Sequence, residues 1–262
     1  MRRLALLVAA TAALALIPGS AQGIVYGEFD GNRHRNVGGF VVQRPNGTYR
    51  TICSGTLIDA DTFLTAAHCT AALESLEIEL DDVWVSFDPT FDQRSPRIPG
   101  VADLNEAYNQ SQDDPNDVAV IELDRPVTNI TPARLPRAGL LSDLSRAELR
   151  SRTFTAVGYG TIRETRKTGP QGILDTEERR YALQSATTLT QAWLKLSMNE
   201  ATGDGGTCYG DSGGPHFIGG KFSNWIVSLT VTGDAVCKAS DVTYRLDTQS
   251  ARDYLEEFVT LP

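Results

Sequence analysis

Three short segments carry side chains that together could perform acyl transfer. Thr65-Ala66-Ala67-His68-Cys69 sets an imidazole among small residues and beside a cysteine. Asn116-Asp117-Val118-Ala119-Val120 sets a carboxylate at the mouth of an apolar run, where burial is costly unless a donor meets it. Gly210-Asp211-Ser212-Gly213-Gly214-Pro215 surrounds a hydroxyl with glycines that let the backbone turn tightly and leave Ser212 unobstructed. A serine hydroxyl is a weak nucleophile at neutral pH, so it needs a base such as His68, and that base needs an acceptor such as Asp117 to fix its tautomer. Taken singly, each segment has a plainer reading: an ordinary histidine, a strand-start acid and a turn.

The rest of the chain must position those groups. Its 262 residues, 41% of them hydrophobic, can fill a sizeable core, which argues against disorder or a coiled coil as the main state. With Lys+Arg 24 against Asp+Glu 33, the net charge of −9 leaves no basic excess to follow a phosphate backbone, so nucleic acid is excluded as a partner. Twenty-three Gly and 12 Pro punctuate short β-branched or apolar runs: 38–42, 56–58, 62–66, 83–87, 118–123, 153–157 and 226–231. This pattern predicts an all-β fold of closed or sandwiched antiparallel sheets. The proline-rich stretch 124–136 suits a connection between two halves, and the charged stretch 161–182 reads as an exposed loop. Ala251, Tyr254, Leu255 and Phe258 at helical spacing predict one amphipathic helix over about 248–259.

At the start, Arg2 and Arg3 precede an apolar run from Leu4 to Ile17 and then Pro18, Gly19 and Ser20, the layout of a secretory signal peptide. Fourteen apolar residues are short for a membrane span, a short anchor being the alternative, and no later stretch is long enough. Cleavage is expected after Ala21 or after Gly23. Export implies an oxidising compartment, so Cys53, Cys69, Cys208 and Cys237 are read as disulfides rather than a metal site. Of three connectivities, pairing near neighbours gives Cys53 with Cys69 and Cys208 with Cys237.

In the order His, Asp, Ser, the three segments resemble the trypsin/chymotrypsin family of secreted serine proteases. Ile24-Val25-Tyr26-Gly27, Cys53-Ser54-Gly55-Thr56-Leu57-Ile58, Gly158-Tyr159-Gly160-Thr161 and Val227-Ser228 add to the resemblance. It implies two six-stranded antiparallel β-barrels with a C-terminal α-helix, the first barrel over about 24–130 and the second over about 137–247. His68 and Asp117 would come from the first barrel and Ser212 from the second, with the backbone N–H groups of Gly210 and Ser212 as the oxyanion hole. It further implies that Ser228 hydrogen-bonds Asp117, and that a freed Ile24 amine pairs with Asp211. Gly206, Thr207 and Thr230 would lie at the pocket for the substrate's P1 side chain. Gly206 stands where the family can place an acid, and the resemblance puts Asp241 on the pocket wall. There Asp241 could meet a Lys or Arg side chain or obstruct the pocket, while a solvated acid in a turn is the plainer reading.

The expected activity is a secreted endopeptidase acting through an acyl-enzyme without cofactor or metal. Its partners would be protein or peptide substrates and a proteinaceous inhibitor. Two other classes fit the same residues: a binding protein on this scaffold that has lost turnover, and an esterase-like hydrolase. Tyr26, Tyr159 and Leu229 depart from the family's usual Gly, Trp and Trp, and Leu229 bears on the edge that would bind substrate backbone. Asp81, Asp82, Asp88 and Asp92 read as a solvated acidic face rather than a calcium site. Asn46, Asn109 and Asn129 head glycosylation sequons. His34 and His216 have no carboxylate or serine context in the sequence and are read as structural.

Overall fold

The protein is described here by a computed structural model covering residues 24–163 and 173–262. The expected signal peptide, 1–23, and residues 164–172 of the expected exposed loop lie outside the described residues. In chain order the first half holds β1 (Glu28–Phe29), β2 (Val37–Gln43), β3 (Tyr49–Leu57), β4 (Thr62–Thr65), α1 (Ala67–Ser75), β5 (Val83–Ser86), β6 (Ile98–Ala102) and β7 (Ala119–Leu123). The second half holds α2 (Arg146–Ser151), β8 (Thr153–Gly158), β9 (Ile162–Arg163), β10 (Ile173–Leu174), β11 (Arg180–Leu189), β12 (Trp193–Ser197), β13 (Pro215–Ile218), β14 (Ile226–Gly233), β15 (Ser240–Arg245) and α3 (Gln249–Leu255).

Strands β2 to β7 close a six-stranded antiparallel barrel in the order β2-β3-β4-β7-β6-β5. Its interior is filled by fully buried Phe40, Leu57, Phe63, Val83, Val85 and Ile121. The second barrel runs β8-β11-β12-β15-β14-β13 and returns to β8, with β1 added at β11. The pairing of β11 with β8, from Arg180 opposite Gly158 to Ser185 opposite Thr153, closes the second ring. Two antiparallel barrels remove the open edges that a flat sheet of this composition would expose. The segment from Ile24 to Phe29 joins the second barrel, not the first, because Glu28 and Phe29 pair with Tyr181 and Arg180.

The barrels share one apolar core. Leu64, Val118 and Val120 of the first pack in one cluster with Leu229, Tyr244 and Ala251 of the second half. Helix α3 crosses this seam. Thr248 caps it by accepting from the Ala251 N–H, and the helix ends at Leu255, earlier than its apolar pattern predicted. Tyr254 donates to Asp103 Oδ1 (2.7 Å) and accepts from the Val120 N–H (3.1 Å). Ser250 and Tyr244 donate to the two oxygens of Asp114 (2.6 and 2.9 Å). These bonds hold the connection between β6 and β7, which carries Asp117, against the second half.

The charged stretch 161–182 is not wholly an exposed loop. Arg179 is completely buried, and β11 begins at Arg180. The Arg179 guanidinium donates to Asp30 Oδ2 (3.0 Å), the carbonyls of Val37 (2.9 Å), Phe87 (3.0 Å) and Gly31 (2.5 Å), and the Tyr159 hydroxyl (3.2 Å). Five acceptors explain how so much charge density is buried: a buried cation persists when it is paired and its donors are satisfied. Asp30 also meets His34 Nδ1 at 2.5 Å, so His34 does have a carboxylate partner, which its sequence neighbours did not announce. Burial works to raise the Asp30 carboxyl, but the hydrogen bond from His34 and the charges of His34 and Arg179 outweigh it and hold it below the ordinary value.

Candidate active site

His68 is the second residue of α1, whose start is pinned from two sides. Cys69 is bonded to Cys53 of β3, and Cys208 to Cys237, the connectivity expected from spacing. Asp117, 2% exposed, accepts from the His68 backbone N–H at Oδ1 (2.9 Å) and meets His68 Nδ1 at Oδ2 (2.8 Å). The carboxylate fixes the tautomer: Nδ1 carries the proton, and Nε2 is left as an acceptor on a ring that is about a quarter exposed. Among the described residues, the one cluster of three side chains with metal-ligating atoms is Cys53, His68 and Cys69, and both sulfurs are spent in the disulfide. Asp88 accepts from Ser95 Oγ, and Asp92 accepts from the Arg94 and Ser95 N–H groups.

Ser212 lies in a turn of the other barrel that packs against the first; among the described residues His68 Nε2 meets Cys69 Sγ (3.7 Å) and no hydrogen bond joins it to Ser212. The Ser212 carbonyl accepts from the Ser54 N–H (2.8 Å), next to the cysteine tied to Cys69. At Gly213 φ is +74°, and a Cβ would lie 2.7 Å from the Ala66 nitrogen and closer still to Thr65 Oγ1, so only glycine lets this turn sit against the segment leading into His68. Gly210 has φ +93°, and its carbonyl accepts from Ser54 Oγ (3.0 Å). The N–H groups of Gly210 and Ser212 have no intramolecular acceptor among the described residues.

Asp211 is fully buried under this loop and accepts from the N–H groups of Cys208 and Gly160 (both 2.8 Å). Burial pushes its carboxyl up to about 7; the two backbone bonds oppose that shift and the charge of Asp241 adds to it. Ile24 is fully buried against Ala156 and Ala182, and the Val25 carbonyl accepts from the Gly206 N–H (2.9 Å).

Several sequence-predicted positions land differently. Ser228 does not meet Asp117: its Oγ accepts from Thr243 Oγ1 (2.8 Å) inside the second barrel. The cause is register. Gly213 donates to the Thr230 carbonyl and Thr230 to that of Gly214, so β14 passes the nucleophile loop at Thr230, two residues beyond Ser228. Leu229 accordingly is fully buried core, and the accessible end of β14 is Val231 to Gly233. Thr207 and Thr230 are buried, and the Thr230 hydroxyl meets His216 Nε2 at 3.0 Å. Asp241 is not a solvated acid. It is 0% exposed, accepts from Gln184 Nε2 (2.9 Å) and lies 3.6 Å from His216 Nε2. His216 thus also has a carboxylate neighbour, and Gln184 joins the site without any sequence signal beyond a polar residue in an otherwise apolar run. A cavity of about 690 Å³ opens beside Asp117, lined by Tyr108, Trp193, Lys195, Val231 and Thr232 among others.

The sequence matches the protein family described as Trypsin over residues 28–248. It is 32% identical over 191 residues to venom plasminogen activator LV-PA of Lachesis muta muta, covering 68% of this chain and 67% of that one. It is 32% identical to beta-fibrinogenase brevinase of Gloydius blomhoffii, covering 71% and 76%, and 31% identical to thrombin-like enzyme acutobin of Deinagkistrodon acutus, covering 76% and 74%. In sequence and in its paired six-stranded barrels, the chain belongs to the trypsin family of serine proteases.

Proposed function

We propose that the protein is a secreted endopeptidase that cleaves peptide bonds through an acyl-enzyme on Ser212, with preference for a cationic P1 side chain. The observation that carries this reading is His68 held by Asp117 through both its backbone N–H and its imidazole Nδ1, with the Ser212 turn seated against the segment that leads into it. Ser212 Oγ attacks the scissile carbonyl carbon as His68 Nε2 takes its proton, and Asp117 stabilises the resulting imidazolium without being protonated. The negative charge that develops on the carbonyl oxygen is met by the Gly210 and Ser212 N–H groups. Collapse breaks the C–N bond, and the imidazolium gives its proton to the leaving amine. Water then repeats the attack, with His68 again as base, and regenerates the hydroxyl.

The open end of β14 suits a peptide in extended form, because an unpaired strand edge offers N–H and C=O groups for β-augmentation. The cavity beside Asp117 gives room for residues preceding the cleaved bond. Relatives include a plasminogen activator and a beta-fibrinogenase, names that point to protein targets. Export follows from the signal-peptide layout of residues 1–23 and agrees with two disulfides. Cleavage after Gly23 would free the Ile24 amine to pair with Asp211. Ile24 has φ 38°, a region that β-branched residues rarely occupy, and cutting before Ile24 removes the peptide bond on which that torsion depends.

A fluorophosphonate is expected to label the purified protein, with labelling abolished in Ser212→Ala, and a peptide-library digest should show internal cleavage. Absence of labelling from folded protein would instead support a binding role on this scaffold. Labelling without peptide cleavage would support an esterase.

A further inference from the structure

Behind the Ser212 loop lies a cluster of buried polar atoms with an unusual imbalance. Asp241 is fully buried and Gln184 is 1% exposed, joined by the bond from Gln184 Nε2 to Asp241 Oδ2 (2.9 Å). That bond fixes the orientation of the amide, since only its nitrogen can donate to the carboxylate. Asp241 Oδ1 and Gln184 Oε1 are then left buried with no hydrogen-bond partner. His216 backs the pair: its Nε2 faces Thr230 Oγ1 at 3.0 Å and Asp241 Oδ2 at 3.6 Å, and its Nδ1 is likewise without a partner. With Nε2 protonated, every orphan in the cluster is an acceptor. A buried group left unpaired costs free energy, so what the cluster lacks is a donor-rich group.

The cluster faces the segment leading to the nucleophile. A Cβ on Gly206 would lie 2.5 Å from both Gln184 Nε2 and Met198 Cγ, so the glycine at this point, six residues before Ser212, makes room for the Gln184 amide and the Met198 side chain. The volume that an acid at 206 would occupy is thus shared by Gln184 of β11 and by Met198, just after β12.

We propose that Gln184 is a specificity-determining residue: its Oε1 and Asp241 Oδ1 form a two-acceptor fork for a planar guanidinium, so that arginine is favoured over lysine at P1. This rests on the protease reading above and deepens it. A guanidinium presents five donors in a plane and can bond two neighbouring acceptors side by side, whereas an ammonium is a compact point charge that needs the carboxylate far more than the amide. Asp241 supplies the charge that selects cations, and Gln184 supplies the second acceptor that selects among them.

The test compares matched peptide amides with Arg, Lys or Phe at P1 in the unsubstituted protein, Gln184→Met and Asp241→Asn. Gln184→Met should lower kcat/KM for Arg about tenfold and bring the Arg to Lys ratio close to one, while Arg remains favoured over Phe. Asp241→Asn should lower Arg and Lys together, about a hundredfold relative to Phe. An Arg to Lys ratio unchanged in Gln184→Met overturns the proposal. Benzamidine binding to the Ser212→Ala protein, followed by calorimetry with and without Gln184→Met, reads the same fork without turnover. It should weaken about tenfold, and equal affinity contradicts the proposal. Fluorophosphonate labelling reports separately on Ser212, so an unreactive protein that still binds benzamidine through Gln184 would sink the protease reading and leave the fork standing.

Discussion

At the scale of single residues, the most consequential group besides those of the proposed triad is Asp211. Its carboxyl is held up at about 7 by burial, against 3.8 in the unfolded chain. Between those values the folded protein binds a proton that the unfolded chain has released, so stability falls as pH rises through that window. Pairing with a freed Ile24 amine, as proposed, would supply the missing cation, lower the carboxyl's pKa and remove the loss. A protein beginning at Gln22 should therefore lose thermal stability between about pH 4 and 7, whereas one beginning at Ile24 should hold it. Melting both across that range checks this, and parallel curves would contradict it. If N-terminal sequencing of secreted, active protein begins at Gln22, processing at Gly23 is not the activating step.

At the scale of elements, Arg179 ties three parts together just before β11. Its acceptors lie in the N-terminal segment (Asp30, Gly31), on β2 and just after β5 (Val37, Phe87), and just after β8 (Tyr159). Arg179→Met should cost about 3 to 5 kcal/mol, because it leaves Asp30 buried with less compensation and frees several buried acceptors. A urea titration measures this, and a change below about 1 kcal/mol would mean that the guanidinium is replaceable by packing. None of this was legible in the sequence, where Arg179 sits in a run of charge that usually means solvent. By contrast, β2, β4, β5, β7 and β8 follow the short apolar runs closely, since each is bounded by turn residues and fills one barrel face. The position of β14 relative to the nucleophile loop was misplaced by two residues. Counting from Val227-Ser228 cannot settle a register that hydrogen bonds from Gly213 and Thr230 decide. His68 and Asp117, which the structure brings together, could be paired from the sequence because each sits in a compact local motif. The role of Gln184 could not be read there, because its partner Asp241 lies 57 residues away on another strand of the same barrel.

At the scale of the whole molecule, the division of labour between barrels explains the architecture. The first barrel holds His68 on α1 and Asp117 before β7, and the second carries the Ser212 loop, in which the proposed reading places the nucleophile and the oxyanion donors. The seam is held by a shared apolar core and by the bonds from Tyr254, Ser250 and Tyr244 to Asp103 and Asp114. The most direct measurement is a crystal structure of the protein after reaction with a fluorophosphonate. Phosphorus should be bonded to Ser212 Oγ, with one phosphoryl oxygen about 2.7 to 3.1 Å from the N–H groups of Gly210 and Ser212 and His68 Nε2 turned to the adduct. A label on any other side chain, or a phosphoryl oxygen directed away from both N–H groups, would contradict the account.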